Sequence, residues 1–588
     1  MQNEKWIEVR KGGDFEGTGQ KFHVDPVIAR IVRNRDISGE QELQEYFHPS
    51  IAGLHEPDQL KDGQLAASII ADKIQQKKRI CIIGDYDIDG IQSTYIFYHG
   101  LKKCGADIIY DIPDRLEDGY GLNQNLIDRA FANGSDTILT CDNGIAAIEE
   151  IEYAKKRNMT VIVTDHHEVP YKEQEGEKNQ ILPPADAVVD PKQADDRYPF
   201  PGLCGAAVAW KVLQLVMKLQ GRPESEWLCY IENAAFATIG DVMVLKGENR
   251  TIVSLGLEAL RQSKHVGMQA LISQNQLCQE ELKAYHVGFI LGPCLNASGR
   301  LDTAKRALEL MLEENKNEAA VLAADLVALN QNRKELTVSG VNQARDYIEE
   351  HQLMQQRVWV IFLPECHESI AGIIAGRIRE QYKRPVFVLT RGKDGVKGSG
   401  RSIEAYSMYE EMSRQAALFT KFGGHPMAAG LSMKEENIET LSSRLNQDCR
   451  LTDEDLVEKV RIDVALPLGY LSEGLIQQLQ ILEPCGNGNE KPVFAVKNVA
   501  AERYTLIGKN KNMLKLSVYT DAGTKMDALY FGDAGEFLDY YEEKYGADAI
   551  EALGTGRNNP IRFSFVYYPQ INSFQGRQTM QLVISHYA

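Results

Sequence analysis

Between about residues 62 and 260, short apolar runs alternate with longer stretches of helical periodicity. The runs fall at 80–83, 108–112, 137–141, 160–164 and 187–189, and most lack the alternation of a half-exposed strand. Strands buried on both faces read this way, so the pattern predicts a doubly wound, mainly parallel sheet. From 302 to 350 the pattern becomes almost continuously helical, with Asp302 or Thr303 as a cap and apolar residues at Ala307, Leu308, Met311, Leu312, Leu322, Leu326 and Leu329. Heptads are not sustained, so a connector beside a cleft is expected rather than a coiled coil. Strand-like runs at 358–363 and 386–389 then flank a helix containing Ala371-Gly372 and Ala375-Gly376. Beyond 455, strand-like segments are separated by glycine and asparagine turns, whereas residues 1–60 hold short helical stretches and no readable motif. The pattern predicts an α/β multidomain chain divided at 1–60, 61–301, 302–350, 351–454 and 455–588.

Composition changes this picture little. A chain of 588 residues suits about three or four domains, and 43% hydrophobic with 25% charged residues is ordinary for a soluble protein. No signal-peptide pattern opens the chain and no apolar run reaches membrane-spanning length, so a cytoplasmic protein is expected. Ten cysteines without a C-x-x-C pair point to reduced thiols rather than disulfides or structural zinc. A net charge of −18 argues against a surface that binds nucleic acid everywhere, yet leaves room for a local basic groove.

The stretch that carries most chemistry runs from Arg79 to Gly90: an apolar run stops at Gly84, and Asp85, Asp87 and Asp89 follow at alternate positions. Three carboxylates this close repel one another unless a cation sits among them. An EF-hand loop would need a glutamate where Ile96 stands, and a helix upstream where a strand is predicted. Other predicted strands end in Asp111-Ile112-Pro113-Asp114-Arg115, Cys141-Asp142-Asn143-Gly144, Asp165-His166-His167 and Asp190-Pro191, and a helical segment ends in Gly240-Asp241. Parallel strands place their carboxyl ends on one edge, where these groups would converge. Singly, each is an ordinary turn, cap or surface pair; together they form an oxygen-rich set with imidazoles and no thiolate, which suits Mn²⁺ or Mg²⁺ better than structural zinc. Gly398–Ser402 and Gly423–Gly430 read as glycine-rich turns whose freed N–H groups, with Ser399, Arg401 and His425, would cradle a phosphate. No G-x-x-x-x-G-K-[ST] occurs, which argues against a nucleotide-driven motor. Between Lys497 and Lys515 five basic residues face one acid, and Tyr504, Phe563, Phe565, Tyr567, Tyr568 and Phe574 are candidates for base stacking. Alternation buries about half of such aromatics, which leaves Tyr504 and the lysines as the best candidates.

These motifs resemble those of the DHH phosphoesterase superfamily: Gly84-Asp-Tyr-Asp-Ile-Asp-Gly90, Cys141-Asp-Asn-Gly144, Asp165-His-His167 and Asp241 match its motifs I to IV. Gly292-Pro-Cys-Leu-Asn-Ala-Ser-Gly-Arg-Leu301 is similar to the element closing the first domain of its RecJ branch, and Gly398–Ser402 with Gly423–Gly430 resembles the DHHA1 domain. Glu483–Phe494 is similar to the RecJ sequence leading into an OB-type β-barrel, with Cys485 where phenylalanine is usual, and Tyr171–Leu182 looks like an insertion. The resemblance implies a DHH sheet, a helical connector, an α/β DHHA1 domain and a C-terminal OB barrel. It implies two divalent cations, Mn²⁺ or Mg²⁺, held by Asp87, Asp89, Asp142, His166 and Asp241, with Asp142 the natural bridge. Asp85, Asp165 and His167 take catalytic roles, His167 by donating to a phosphate oxygen or to the leaving alkoxide. Arg115, Ser298, Arg300, His367, Ser399, Arg401, Gly423, Gly424 and His425 would bind phosphate, and Tyr504, Lys509, Lys511 and Lys515 the strand. The implied activity is 5′→3′ exonucleolytic removal of 5′-mononucleotides from single-stranded DNA in repair and recombination. The implied partners are a DNA single strand with a 5′ end, a single-strand-binding protein and a RecQ-type helicase, with no membrane and a monomeric state. Two alternatives stand beside it: an oligoribonuclease or cyclic-dinucleotide phosphodiesterase of the same superfamily, which would not need the C-terminal domain, and a non-catalytic single-strand-binding relative, which would not need the ligands.

Overall fold

The predicted buried strands form β1 (Arg79–Ile83), β2 (Asp107–Asp111), β3 (Thr137–Cys141), β4 (Thr160–Thr164) and β5 (Ala187–Val189). The structure, a computed structural model, describes residues 4–115, 118–119, 121–174, 177–393, 395–574 and 576–588. The five strands pair in the order β2-β1-β3-β4-β5, every pair parallel. Register is what builds the site: Ile83 lies beside Asp111 and Thr140, Cys141 beside Thr164, and Thr164 beside Val189. The residues that follow each strand therefore leave the sheet at one edge. The helices α1 (Ile88–Lys103), α2 (Gly205–Leu219) and α3 (Ile231–Gly240) pack against one another beside this sheet. The insertion forms a hairpin in which Tyr171–Gln174 pairs with Glu177–Gln180.

Beyond α4 (Gly292–Leu301) the predicted continuous helix is broken into Lys305–Leu312 and α5 (Lys316–Glu350). Thr303 Oγ1 accepts from Lys305 N at 3.3 Å where the first piece begins. Glu313 adopts an extended backbone, and Asn315 caps α5 by accepting from Asn317 N at 2.9 Å. Asp302 is not a cap: it ends α4 and pairs with Arg306 at 2.8 Å. The cap of the long helix lies further along than expected because Asp, Thr and Asn are equivalent on sequence alone.

A second sheet contains β6 (Trp359–Phe362), β7 (Val386–Gly392), β8 (Gly395–Arg401), β9 (Phe419–His425) and β10 (Ala428–Met433), in the order β9-β10-β8-β7-β6, with α6 (Glu368–Tyr382) following β6. This corrects the expected glycine turns, because Gly398–Arg401 and Gly423–His425 are strand. A Cβ on Gly398 would stand 2.3 Å from Leu389 Cδ2, and one on Gly400 2.9 Å from Phe387 Cε1. These glycines make room for core side chains rather than supply turn conformations.

The chain divides into two compact units, one of residues 50–244 with 248–457 and the other of residues 1–49, 245–247 and 458–588. In the second, β11 (Phe494–Ile507), β12 (Met513–Tyr519), β13 (Lys525–Tyr530), β14 (Arg562–Phe574) and β15 (Arg577–Tyr587) close on themselves, because β14 pairs with both β15 and β11. Closure removes the exposed edges of an open sheet. The N-terminal stretch is not separate from this barrel unit. Val27, Ile28, Ile31, Val32, Leu43 and Phe47 share its core with Leu466, Leu482 and Phe494, and Tyr46 Oη donates to Asn489 Oδ1 at 2.9 Å. Deleting 455–588 would thus strip the core from the N-terminal helices, so point variants are the better probe of that unit. Among the described residues no helix is long and apolar enough to cross a membrane.

Candidate metal centre

The chain leaves β1 at Gly84 and enters α1 through Asp87, whose side chain accepts from Asp89 N at 2.9 Å and Gly90 N at 3.2 Å. Gly90 is required here, since a Cβ would stand 2.3 Å from Asp85 O. The turn is also pinned by Asn296, whose Oδ1 accepts from Ile88 N at 2.8 Å. Asp89 points at the N-terminus of α2, accepting from Gly205 N and Ala206 N at 2.7 Å each. Helix N-termini favour negative charge, so α2 partly offsets the cost of this buried carboxylate.

Asp142 follows β3 with φ +61°, a left-handed conformation that Asp and Asn tolerate better than most residues. Asp165 follows β4 and holds the motif rigid. Its Oδ2 accepts from Ile145 N at 2.9 Å, and its Oδ1 accepts from His166 N and meets His167 Nδ1, both at 2.7 Å. Asp241 sits at the C-terminal end of α3. His166 Nε2 is then 3.1 Å from Asp142 Oδ1, 3.5 Å from Asp89 Oδ2 and 3.9 Å from Asp241 Oδ2.

Three ligand sets result: Asp85, Asp87 and Asp142; Asp89, His166 and Asp241; and Asp142, His166 and His167, each with donor atoms within 4.8 Å of one another. The third set would need His167 deprotonated; the first two adjoin where His166 Nε2 meets Asp142 Oδ1, an arrangement with room for two neighbouring cations. Burial and mutual repulsion of the carboxylates favour a positive charge among them. Burial, then repulsion by Asp87, pushes Asp89 up to about 7. Burial, then Asp89, pushes Asp241 up to about 8. Asp85 and Asp142 are raised well above the carboxylate range by burial and then by neighbouring acids. Asp85 Oδ1 is buried without a hydrogen-bond partner, and Asp142 Oδ1 has the His166 Nε2 contact without hydrogen-bond geometry. Burial, then His167, lowers His166 to about 3, so its imidazole is neutral and able to ligate. The thiols of Cys141 and Cys204 are pushed up by burial and stay protonated. Oxygen donors with neutral imidazole and no thiolate fit Mn²⁺ or Mg²⁺.

His167 behaves differently from its neighbour. Burial would lower it, but the Asp165 hydrogen bond and charge outweigh that and raise it to about 9. Conversely Asp165, against its burial, is held below the usual carboxylate range by His167. The pair is a protonated imidazolium on an ionised carboxylate. Asp190, a strand-end acid outside the predicted ligands, is fully buried and pushed up to about 7 by burial and then Asp165.

The predicted phosphate-binding residues divide. Arg115 stacks on the Tyr86 ring at 5.1 Å, and Arg300 donates to Ser369 O at 3.0 Å. Arg300 is lowered to about 10 by burial, then by Arg115 and Arg333, and Arg401 is lowered by burial, then by Arg379 and Arg115. Among the described residues neither Arg115, Arg300 nor Arg401 makes an ion pair. Like charges gathered with no ion pair among the described residues suit a polyanion. Arg401 lies over α6 at Gly372, where a Cβ would stand 2.9 Å from its Nη2 and 3.4 Å from Ser399 Cβ. Sheet register puts Ser399 and Gly423 opposite Gly430, and Arg401 and His425 opposite Ala428, so these residues share one face. Gly424 stands beside them, opposite Ala429. His367 caps α6, its Nδ1 2.7 Å from Ser369 Oγ. Ser298, by contrast, is buried and donates to Leu295 O at 2.7 Å within its own helix, so its hydroxyl is not presented to a ligand.

On the barrel, Lys509 and Lys511 are exposed in the β11–β12 turn. Lys515 is neutralised by Asp527 at 2.7 Å, and Tyr504 is partly buried against the core. Phe563, Phe565 and Tyr567 are buried, Tyr568 lies under Lys491 Nζ at 3.6 Å, and the Phe574 side chain lies outside the described residues.

Gly205 is a site residue that the sequence pattern does not single out, because a glycine opening an apolar helix is common. Its missing side chain admits Asp142: a Cβ would stand 2.7 Å from Asp142 Cβ and 2.8 Å from Oδ1. Gly205→Ala is therefore expected to displace Asp142 and weaken Mn²⁺ binding at least about tenfold, by calorimetric titration. Unaltered affinity would remove this role.

Family profiles match the chain in three places: DHH family, N-terminal domain, at residues 79–238; DHHA1 domain at 355–450; and RecJ OB domain at 462–586. The single-stranded-DNA-specific exonuclease RecJ of Bacillus subtilis (strain 168) is 33% identical over 569 residues, covering 96% of this chain and 68% of the relative. The protein of that name from Escherichia coli (strain K12) is 30% identical over 602 residues, 99% of either chain. The crystal structure of RecJ from Thermus thermophilus in complex with Mn²⁺ matches with a TM-score of 0.82 at 26% identity, over 100% of this chain and 80% of that one. Three profiles in the order of the parallel sheet, the second sheet and the barrel, with relatives matched almost end to end, place the chain in the RecJ family of the DHH superfamily.

Proposed function

We propose that the chain is a single-strand-specific 5′→3′ exodeoxyribonuclease that releases 5′-mononucleotides in DNA repair and recombination. One observation carries the reading: two sets of candidate ligands, Asp85, Asp87 and Asp142 beside Asp89, His166 and Asp241, adjoin where His166 Nε2 lies 3.1 Å from Asp142 Oδ1. Asp87, Asp89, Asp142, His166 and Asp241, with Asp85, would hold two cations, Mn²⁺ or Mg²⁺, which when bound supply Lewis acidity at the scissile phosphate. The chain's own groups do the rest. His167, kept protonated and oriented by Asp165, is placed to donate to a phosphate oxygen or to the departing 3′-oxygen. Arg115, Arg300, Ser399 and Arg401 bind the 5′-terminal phosphate, whose extra charge marks a chain end. Lys509 and Lys511 hold the strand backbone. Single-strand-binding protein and a RecQ-type helicase are the proposed partners, in the cytoplasm, for a monomer. We take 61–301, 302–350, 351–454 and 455–588 as its functional divisions, with 1–60 an N-terminal segment. The barrel disfavours an enzyme restricted to dinucleotides, and the complete ligand sets disfavour a non-catalytic relative.

The test is cleavage of end-labelled single strands and duplexes with each cation. Mononucleotides from the 5′ end of single strands are expected, and release from the 3′ end or equal attack on duplex would overturn the reading. On the same substrates Arg401→Ala should cut the preference for 5′-phosphate over 5′-hydroxyl ends about tenfold, one charge-assisted hydrogen bond being worth about 1.5–3 kcal/mol. An unchanged ratio places end recognition elsewhere.

A further inference from the structure

A cavity of 470 Å³ lies among the C-terminal half of α1, β2 and the end of the Lys305–Leu312 helix, wholly within the unit that carries the parallel sheet. Small-molecule sites typically enclose roughly 300–1,000 Å³. Tyr98 and Tyr110 form aromatic walls, half-buried and packed edge to face with ring centroids 5.1 Å apart and planes at 90°. His99 lies beside them, stacked on Tyr95 at 5.2 Å and held by Tyr230, whose Oη is 2.9 Å from its Nδ1. Lys102 and Lys103 complete this side, Lys102 Nζ 5.5 Å from the Tyr98 ring centroid and Lys103 Nζ 5.6 Å from that of Tyr230.

Basic residues in the last turn of a helix are favoured by its dipole, which accounts for two lysines at this position. It does not account for the rest. Among the described residues neither ammonium makes an ion pair, in a chain of net charge −18, and the hydroxyls of Tyr98 and Tyr110 take no hydrogen-bond partner. Glu314 is the acid in the lining, so the cationic groups outnumber it. Burial, then Lys103, His265 and Lys102, lowers His99 to about 4, so near neutral pH its ring adds a hydrogen-bonding edge and no charge. The metal centre uses none of these groups: Lys102 and Lys103 lie about 20 Å along α1 from Asp89.

We infer that this cavity binds a free nucleoside 5′-monophosphate, with its phosphate on Lys102 and Lys103 and its base against Tyr98 and Tyr110. Two features demand the two halves of the ligand: paired ammonium groups take a compact dianion, and a tyrosine face takes any planar base. Inorganic phosphate or a nucleoside alone would use only one of them. Glu314 can accept from a sugar hydroxyl or an exocyclic amino group. A strand would have to carry further phosphates past Glu309, Glu313 and Glu314, whereas a monophosphate presents only one. That the ligand is the product of the chain's own reaction rests on the proposed nuclease function; the binding itself does not.

The experiment titrates full-length protein in chelator with deoxyadenosine 5′-monophosphate, deoxyadenosine and inorganic phosphate, by calorimetry. The monophosphate is expected to bind at least about tenfold more tightly than either fragment. Lys102→Gln combined with Lys103→Gln should remove one equivalent of bound monophosphate. Tyr98→Leu, which keeps an apolar contact with Tyr110 but has no π-face, should weaken the monophosphate about tenfold and leave inorganic phosphate unchanged. Arg401→Ala should retain this equivalent, which separates it from the arginines proposed to read the 5′ end. The lysine variant should melt, and cleave single strands at initial rates, as wild type does. No binding by wild type, full binding by the lysine variant, or inorganic phosphate as tight as the monophosphate refutes the site. A single-stranded oligonucleotide that displaces this equivalent from Arg401→Ala with higher affinity would assign the cavity to the strand and also refute it. Failure of wild type to cleave single strands would instead remove the proposed function and leave this binding in place.

Discussion

Asp142→Asn is expected to lower the cleavage rate by about 10³-fold or more while making the metal-free protein more stable than wild type. The loss follows from position: Asp142 belongs to one ligand set and lies 3.1 Å from His166 of the other, and Asn keeps its shape but removes the charge and one anionic oxygen. A divalent cation contributes several kcal/mol to the stabilisation of a phosphoryl transition state, and each 1.36 kcal/mol is tenfold in rate. The gain in stability follows from electrostatics. Without metal, buried Asp142 repels Asp89, Asp87, Asp85 and Asp241, and a neutral amide does not. Asparagine also tolerates the φ of +61° found there, so the backbone has no reason to move. Turnover at matched Mn²⁺ concentrations and thermal melts in chelator check the two halves. A variant that turns over normally would remove Asp142 from the centre, and one that melts below wild type without metal would show that the carboxylate is held by partners other than a cation.

In chelator, stability should fall between about pH 6.5 and pH 8.5, and saturating Mn²⁺ should abolish or reverse that fall. Asp89 at about 7 and Asp241 at about 8 lie above the ordinary carboxylate value. A carboxyl raised in the folded state contributes stability that is fully present below its unfolded pKa, near about 4, and is lost as pH rises through the folded value. His167, raised to about 9, has the same sign: its contribution is present below about 6.5 and lost as pH rises through 9. His166, lowered to about 3, acts in the opposite sense as pH falls below about 6.5, which is why the comparison begins there. Bound metal reverses the slope because it selects ionised carboxylates, so its affinity rises with pH. Each kcal/mol corresponds to a melting shift of roughly 2–4 °C or less for a unit of this size. A metal-free melting temperature that stays flat over this range, or one that Mn²⁺ does not change, would contradict a cation site made of these residues.

The sequence by itself determined the strands and the candidate ligands they deliver. Apolar runs of four or five residues with no alternation have few places to go except the middle of a parallel sheet, and parallel strands share one carboxyl edge. Asp85, Asp87, Asp89, Asp142, Asp165, His166 and His167 follow three of those runs directly, so their convergence was legible from spacing. What the tertiary structure alone decided are the properties that depend on neighbours distant in the chain. Adjacent imidazoles received opposite roles, because His167 meets Asp165 while His166 is buried among carboxylates. Gly205 became part of the centre because a helix from another stretch brings its bare backbone to Asp142. The glycines at 398 and 400 became strand because Leu389 and Phe387 occupy the space where Cβ atoms would stand. Lys515 lost its availability to Asp527, and Ser298 to its own helix. Residues 4–49 joined the barrel because their apolar face has its partners more than 400 positions away. Local pattern specifies which groups a strand delivers, but burial, charge state and exposure are set by what packs against them, and no single stretch of the chain contains that information.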